Sequence, residues 1–123
     1  MSLYRIDFSV STNEDWVDTF ALVTNAGEED EAPVDLTGSS FRMHIRPDPE
    51  VMLVLLELST ENYRLIIEPD PEDAGKLTIS VPRATIDDLD PGSYPYDMVW
   101  TMADGREVNL ASGTVTINLG ITR

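Results

Sequence analysis

One stretch of alternating side chains limits the possible folds of this chain most strongly. Between Tyr94 and Met102, large apolar residues occupy every second position, with smaller or polar residues between them. Side chains of a β-strand point alternately to its two faces. A period of two therefore predicts a strand with one buried face. The residues predicted to face the interior are Tyr94, Tyr96, Met98, Trp100 and Met102.

The residues leading into this strand are typical of a tyrosine corner. Asp90, Gly92 and Tyr94 follow one another at intervals of two. In immunoglobulin-like sandwiches such a tyrosine lies two residues before a core position, and its hydroxyl bonds to backbone upstream. The core position here would be Tyr96 instead of a cysteine.

Alternation recurs along most of the chain, with turn residues between the segments. In residues 107–119 the apolar side chains, ending at Leu119, change from even to odd positions, which predicts a bulge at Ala111, Ser112 or Gly113. The other predicted strands are 3–10, 16–23, 40–46, 51–58, 63–67 and 76–81. With the central strand, these predict an all-β fold: an immunoglobulin-like antiparallel β-sandwich of about 7–9 strands, with a closed barrel as the alternative.

Residues 51–58 are apolar on both faces of the predicted strand. A strand in a two-layer sandwich normally buries one face and exposes the other. We therefore expect a protein interface on the even-numbered face. The turn residues at 59–62 also predict that this strand forms a hairpin with the strand at 63–67. The residues of this predicted interface are Met52, Val54, Leu56 and Leu58.

Two connections carry further signals. Thr85 to Leu89 predicts one helical turn capped by Thr85, with Ile86 and Leu89 closing the bottom of the sandwich. The loop from Thr24 to Asp35 contains four successive acids at 28–31, which suggest a calcium site, although the alternating acids and central glycine of an EF-hand loop are missing.

A cationic stripe stands out in a strongly acidic chain. Arg42, His44 and Arg46 share the outward face of the predicted strand at 40–46. One interpretation is charge balance against acids on neighbouring strands. The other is contact with a partner protein, and we include these three residues in the predicted interface.

Charge and composition exclude several classes of function. The 123 residues contain 23 acids against 8 Lys and Arg, a formal net charge of −15, which repels nucleic-acid phosphates and anionic membranes. No run of about 18 apolar residues predicts a membrane span. The start of the chain lacks a signal-peptide pattern and cysteine is absent, so we expect a cytoplasmic origin. The length of 123 residues predicts a single domain, 1–123.

We expect no catalytic, cofactor-binding or metal-binding residues, and hence no enzyme. The paired acids fall in predicted turns, where solvent keeps them ionised, and His44 is the single histidine of the chain. An alternative function is the binding of a small ligand such as a carbohydrate by exposed aromatic residues. The candidates are Trp16, Tyr63, Tyr94, Tyr96 and Trp100.

The order and spacing of several motifs resemble those of tailed-phage and prophage proteins, in particular the immunoglobulin-like N-terminal domain of phage baseplate upper proteins. The resemblance extends from about residue 16 to residue 122. The motifs are Asp35-Leu36-Thr37-Gly38, Phe41 to Arg46, Asp73-Ala74-Gly75-Lys76-Leu77, Leu89 to Asp97, Asp104-Gly105 and Ser112-Gly113.

This resemblance implies a non-enzymatic structural or assembly module, associated with a tail or baseplate and acting through protein contacts. Its partners would be other phage structural proteins or further copies of itself, as a homo-oligomer. It would be located in the virion or in the cytoplasm of the bacterial host. In such baseplate proteins an extension that carries the receptor-binding assembly follows the sandwich; these residues do not include one, so we expect the role of an accessory tail component.

Overall fold

Two β-sheets face each other across one hydrophobic core in the computed structural model, which describes residues 4–24, 29, 32–48, 50, 53–69 and 74–121. The larger sheet contains β1 (Tyr4–Arg5), β2 (Phe8–Ser11), β6 (Ser40–Ile45), β7 (Leu56–Ser59), β10 (Gly92–Thr101) and β11 (Glu107–Asn118). The smaller sheet contains β3 (Trp16–Ala21), β8 (Leu65–Ile67) and β9 (Lys76–Val81). A ribbon of β4 (Val23–Thr24) and β5 (Ala32–Pro33) and a helix, α1 (Arg83–Asp87), complete the elements of the described ranges.

The topology confirms the predicted immunoglobulin-like sandwich. The larger sheet has the order β1-β11-β10-β6-β7, with β2 also on β11, and the smaller sheet has the order β3-β9-β8. If β1 and β2 are counted as one interrupted strand, eight strands form the two sheets of the described part. One detail differs from the prediction: β1 and β2 run parallel to β11, so the larger sheet is mixed.

The central strand and its corner are confirmed. β10 pairs with β11 on one side and β6 on the other. Tyr96 and Met98 are buried, and the Tyr94 hydroxyl donates to the Asp90 carbonyl at 2.5 Å, as the corner requires. Trp100 is half-buried, stacks on Phe41 and donates through Nε1 to Ser39 Oγ at 3.0 Å.

The bulge in β11 is confirmed, one residue before the predicted run. Met98 pairs with Ala111 but Val99 pairs with Asn109, so Leu110 is the extra residue. Leu110 and Ala111 are both buried, which is how the strand keeps apolar side chains inward across the change of parity. The prediction for Leu119 is wrong, because the strand ends at Asn118 and Leu119 is exposed.

The first strand is interrupted at Ile6 and Asp7. Asp7 Oδ1 accepts hydrogen bonds from the backbone N–H of Thr114 at 3.0 Å and its hydroxyl at 3.2 Å. The Tyr96 hydroxyl donates to the Ile6 carbonyl at 2.6 Å. These bonds fix the interrupted strand to the larger sheet where two ladder residues are lost.

The Asp7 contact makes stability depend on pH in the acid range. The hydrogen bond from the Thr114 backbone is the main cause that holds the pKa of Asp7 below its ordinary value of 3.8. The folded state therefore favours the carboxylate, so this stabilisation is present above pH 3.8 and is lost as pH falls through the lower folded value. In urea unfolding between pH 5 and pH 2.5, Asp7→Asn should lose stability less steeply than the native chain. Glu107→Gln, which also removes one exposed negative charge, should leave the slope unchanged.

Two predicted connections need correction. β7 pairs with β6 and β8 pairs with β9, so the chain crosses between the sheets after β7 and no hairpin forms there. The helix begins at Arg83 after Pro82 at the N-cap, which places Thr85 inside the helix. Pro82 has φ −67° and ψ 149°, the extended backbone usual for an N-cap residue. Ile86 is buried and closes the core as predicted.

The predicted strand at 51–58 is shorter, and half of its predicted interface lies inside the protein. The strand begins at Leu56; Leu56 and Leu58 are 6% and 0% exposed and belong to the core. Because both pack against the opposite sheet, these two positions are core and do not form the exposed apolar face that was expected; only an edge of Leu56 reaches a surface groove. Val54 is half-buried in a surface groove with Leu55 and Leu89, whereas Met52 lies outside the described residues.

Candidate functional site

A groove crosses the outer face of the larger sheet. Successive pairing places five outward residues in one row across five strands: Arg5, Ser112, Asp97, His44 and Glu57. The groove has a volume of about 360 Å³ and includes Arg46 beside this row. Basic and acidic side chains therefore share this face of the sheet, as cross-strand pairing favours.

His44 is held at the centre of the row by two neighbours. Its Nε2 lies 3.0 Å from Glu57 Oε2, and its Nδ1 lies 3.4 Å from Nη2 of Arg46. A guanidinium can only donate. Nδ1 is therefore the acceptor, and the proton on Nε2 is donated to the Glu57 carboxylate. In this tautomer His44 is neutral and links Arg46 to the Glu57 carboxylate by hydrogen bonds.

The floor of the groove contains one polar atom with unmet hydrogen-bonding capacity. Asn109 Oδ1 is buried and has no hydrogen-bond partner within the described part of the chain. Leaving a buried acceptor unpaired costs about 1–3 kcal/mol. A donor from outside the chain would remove that cost. Tyr96 also borders the groove, and burial, assisted by the Asp7 carboxylate, raises the pKa of its hydroxyl.

The hydroxyl of Ser112 is not placed for proton transfer to His44 in the groove. β10 lies between His44 and Ser112, which places these two residues two strands apart, about 10 Å, too far for direct proton transfer. Across the described ranges, no group of three or more His, Asp or Glu side chains is placed to hold a metal ion. Within the same ranges no helix has the length and apolar character needed to cross a membrane.

The aromatic residues considered for ligand binding lie mostly in the interior. Trp16 and Tyr96 are buried, and Tyr94 and Trp100 are half-buried. Tyr63 alone of the five is largely exposed, at 79%. Carbohydrate binding needs a platform of exposed coplanar rings, which these five side chains do not form.

The structure brings together part of the predicted interface. Arg42, His44 and Arg46 share the outer sheet face, while Val54 lies in a separate groove. Sequence reasoning missed Arg5, Asp97 and Asn109. The alternation of each strand predicts that these side chains face outward. It does not predict the order of the strands in the sheet, which brings them together. The acidic loop at 28–31 lies outside the described residues except for Glu29.

No family model and no curated protein matches the chain. Solved structures similar to it include a chain from the complex of ICOS with ICOS-L and an anti-ICOS-L VNAR domain, with 14% identity, a TM-score of 0.47 and coverage of 97% of this chain and 56% of that one. CopC from Methylosinus trichosporium OB3b has 17% identity and a TM-score of 0.39, with coverage of 73% of this chain and 71% of that one. Extracellular domains 3–5 of Drosophila OTK have 14% identity, a TM-score of 0.34 and coverage of 90% of this chain but 32% of that one. The fold assignment above rests on the strand topology of this chain itself.

Proposed function

We propose that this chain is a non-enzymatic structural or assembly module of a phage or prophage particle, associated with the tail or baseplate. The motif order from residue 16 to residue 122 supports the phage assignment. The tyrosine corner from Asp90 to Tyr94 belongs to that motif set. Contact with a protein partner would occur through the outer face of the larger sheet.

The observation that carries the contact proposal is the groove on that face. It gathers the guanidinium groups of Arg5 and Arg46 in a chain whose net charge is −15. Asn109 Oδ1 at the same place lacks a donor. A partner surface with carboxylates and one hydrogen-bond donor would complement both features. Arg42 extends the cationic stripe along β6 beyond the groove.

A charge-reversal experiment tests the proposal. Particles released from the producing bacterium would be purified on a density gradient, and the chain would be detected in the particle fraction by immunoblot. We expect the native chain in that fraction and expect Arg42→Glu combined with Arg46→Glu to shift to the free fraction. The matched control is Arg83→Glu combined with Arg106→Glu, which changes the net charge equally but lies on α1 and in the β10–β11 turn.

The control variant should stay in the particle fraction. Circular dichroism and light scattering of both purified variants would show that they are folded and in the same oligomeric state. A native chain that never sediments with particles would reject the phage assignment. Equal retention of both double variants would reject the sheet face as the contact.

A further inference from the structure

β3 is an edge of the smaller sheet, with backbone groups directed outward. Among the described strands β3 pairs with β9 alone. Ser80 on β9 donates its N–H to the Arg64 carbonyl at 2.9 Å, so the backbone of Ser80 points away from β3. In an antiparallel pair, the opposite residue then also points its N–H and C=O away. Val17 lies opposite Ser80, so Val17, Thr19 and Ala21 present their backbone groups to the open edge.

Within β3, one charged residue, Asp18, protects this edge against pairing. Natural edge strands are commonly blocked by lysine, proline or a bulge. β3 has none of these, and Val17 is 62% exposed. Its one charged residue is Asp18, on the same side as Trp16 and Phe20, where Oδ2 accepts a hydrogen bond from Trp16 Nε1 at 2.8 Å.

An apolar cleft opens next to the same strand. It lies between β1 and the end of β3, on the flank where the two sheets meet solvent, and has a volume of about 190 Å³. Small-molecule sites usually measure about 300–1,000 Å³, so this cleft suits a single apolar side chain better. Tyr4, Phe20, Leu22 and Leu110 are among its lining residues.

We propose that β3 binds an extended segment of a basic partner protein by strand addition. Backbone hydrogen bonds to Val17, Thr19 and Ala21 would supply affinity, as in other cases of β-strand addition. A lysine or arginine of the partner lies opposite Asp18. Two residues away on the same face, an apolar side chain lies opposite Phe20 and enters the cleft.

Charge selects this occupant over a second copy of the chain. Two copies paired through β3 would bring two Asp18 carboxylates onto one shared face, and each copy has a net charge of −15. Like charges at an interface cost several kcal/mol, whereas a basic segment is attracted. Asp18 thus blocks self-pairing while it admits a basic strand.

The test uses a blocked synthetic peptide, Thr-Val-Thr-Lys-Thr-Leu-Thr, titrated into the full chain and followed by NMR. We expect chemical-shift changes concentrated at the amides of Val17, Thr19 and Ala21 and at the side chains of Phe20 and Leu110. Val17→Pro removes one outward N–H and leaves the β9 ladder intact, so binding should weaken about tenfold. Val17→Thr keeps that N–H and should bind like the native chain.

Two further arms test charge and occupancy. Asp18→Asn should weaken binding without loss of the Trp16 hydrogen bond, and a peptide with glutamate in place of lysine should not bind. Equal binding by Val17→Pro and Val17→Thr would overturn the proposal, as would shifts spread over other acidic surfaces or no binding at millimolar peptide. A native dimer that Val17→Pro dissociates would assign this edge to a second copy instead. If Val17→Pro does not fold, Asp18→Asn and the glutamate peptide decide the outcome.

Discussion

Replacing Trp16 with alanine should lower the free energy of unfolding by about 3–5 kcal/mol, the range for removing a large aromatic side chain from a core. Trp16 is 2% exposed and packs edge to face against Phe8, with ring centroids 5.4 Å apart. The ring of Phe8 in turn packs against that of Tyr96, with centroids 5.5 Å apart. Because Trp16 belongs to the smaller sheet and Phe8 and Tyr96 to the larger one, this cluster joins the two layers.

Urea unfolding at neutral pH measures the effect, with an unchanged m-value as evidence that the transition stays two-state. Val17→Ala is the matched control, since its side chain is exposed on the neighbouring position and should change stability by less than about 0.5 kcal/mol. Trp16→Phe should fall between the two because it keeps a ring and loses the donor to Asp18. A Trp16→Ala loss no larger than that of Val17→Ala would place Trp16 outside the core.

The sequence indicated which strands exist because periodicity is a local property. Met98 and Ile79 lie on the inward positions of period-two segments and are both fully buried. The same pattern predicts that Trp100 faces the interior, yet Trp100 is half-buried while Trp16 is buried. Alternation predicts which face of the sheet a side chain occupies. How deeply that side chain is buried depends on which residues of the opposite sheet pack against it.

Strand partners were harder to predict because they depend on non-local pairing. The sequence predicts that Leu56 and Leu58 lie on an exposed apolar face, because it predicts a long strand at 51–58 that pairs within a hairpin. In the fold the chain crosses to the other sheet after Ser59, so both residues face the core. For the same reason the row from Arg5 to Glu57 could not be assembled from sequence, because its five members come from five strands.

The first strand passes very close to Gly113 of β11. The sequence predicted Gly113 only as one possible position of the bulge. A Cβ on Gly113 would overlap the Ile6 carbonyl oxygen and lie 2.7 Å from Asp7 Oδ1. The first obstacle is a backbone atom, and the second is the carboxylate oxygen that accepts the hydrogen bonds from Thr114. An alanine at this position would therefore displace the segment of Ile6 and Asp7, between β1 and β2, from the larger sheet.

Gly113→Ala should lower the free energy of unfolding by about 3 kcal/mol, at the upper end of the range for overpacking, because the displaced segment also loses the bonds from Tyr96 to Ile6 and from Thr114 to Asp7. Gly105→Ala is the control, since Gly105 has φ +92° in the β10–β11 turn with open space around it, and should cost about 1 kcal/mol from conformation alone. Amide exchange locates the effect: the N–H groups of Ile6 and Thr114 should lose protection in Gly113→Ala and keep it in Gly105→Ala. Equal costs for the two variants, with both amides still protected, would show that Gly113 is required for its backbone conformation and not for the approach of the first strand.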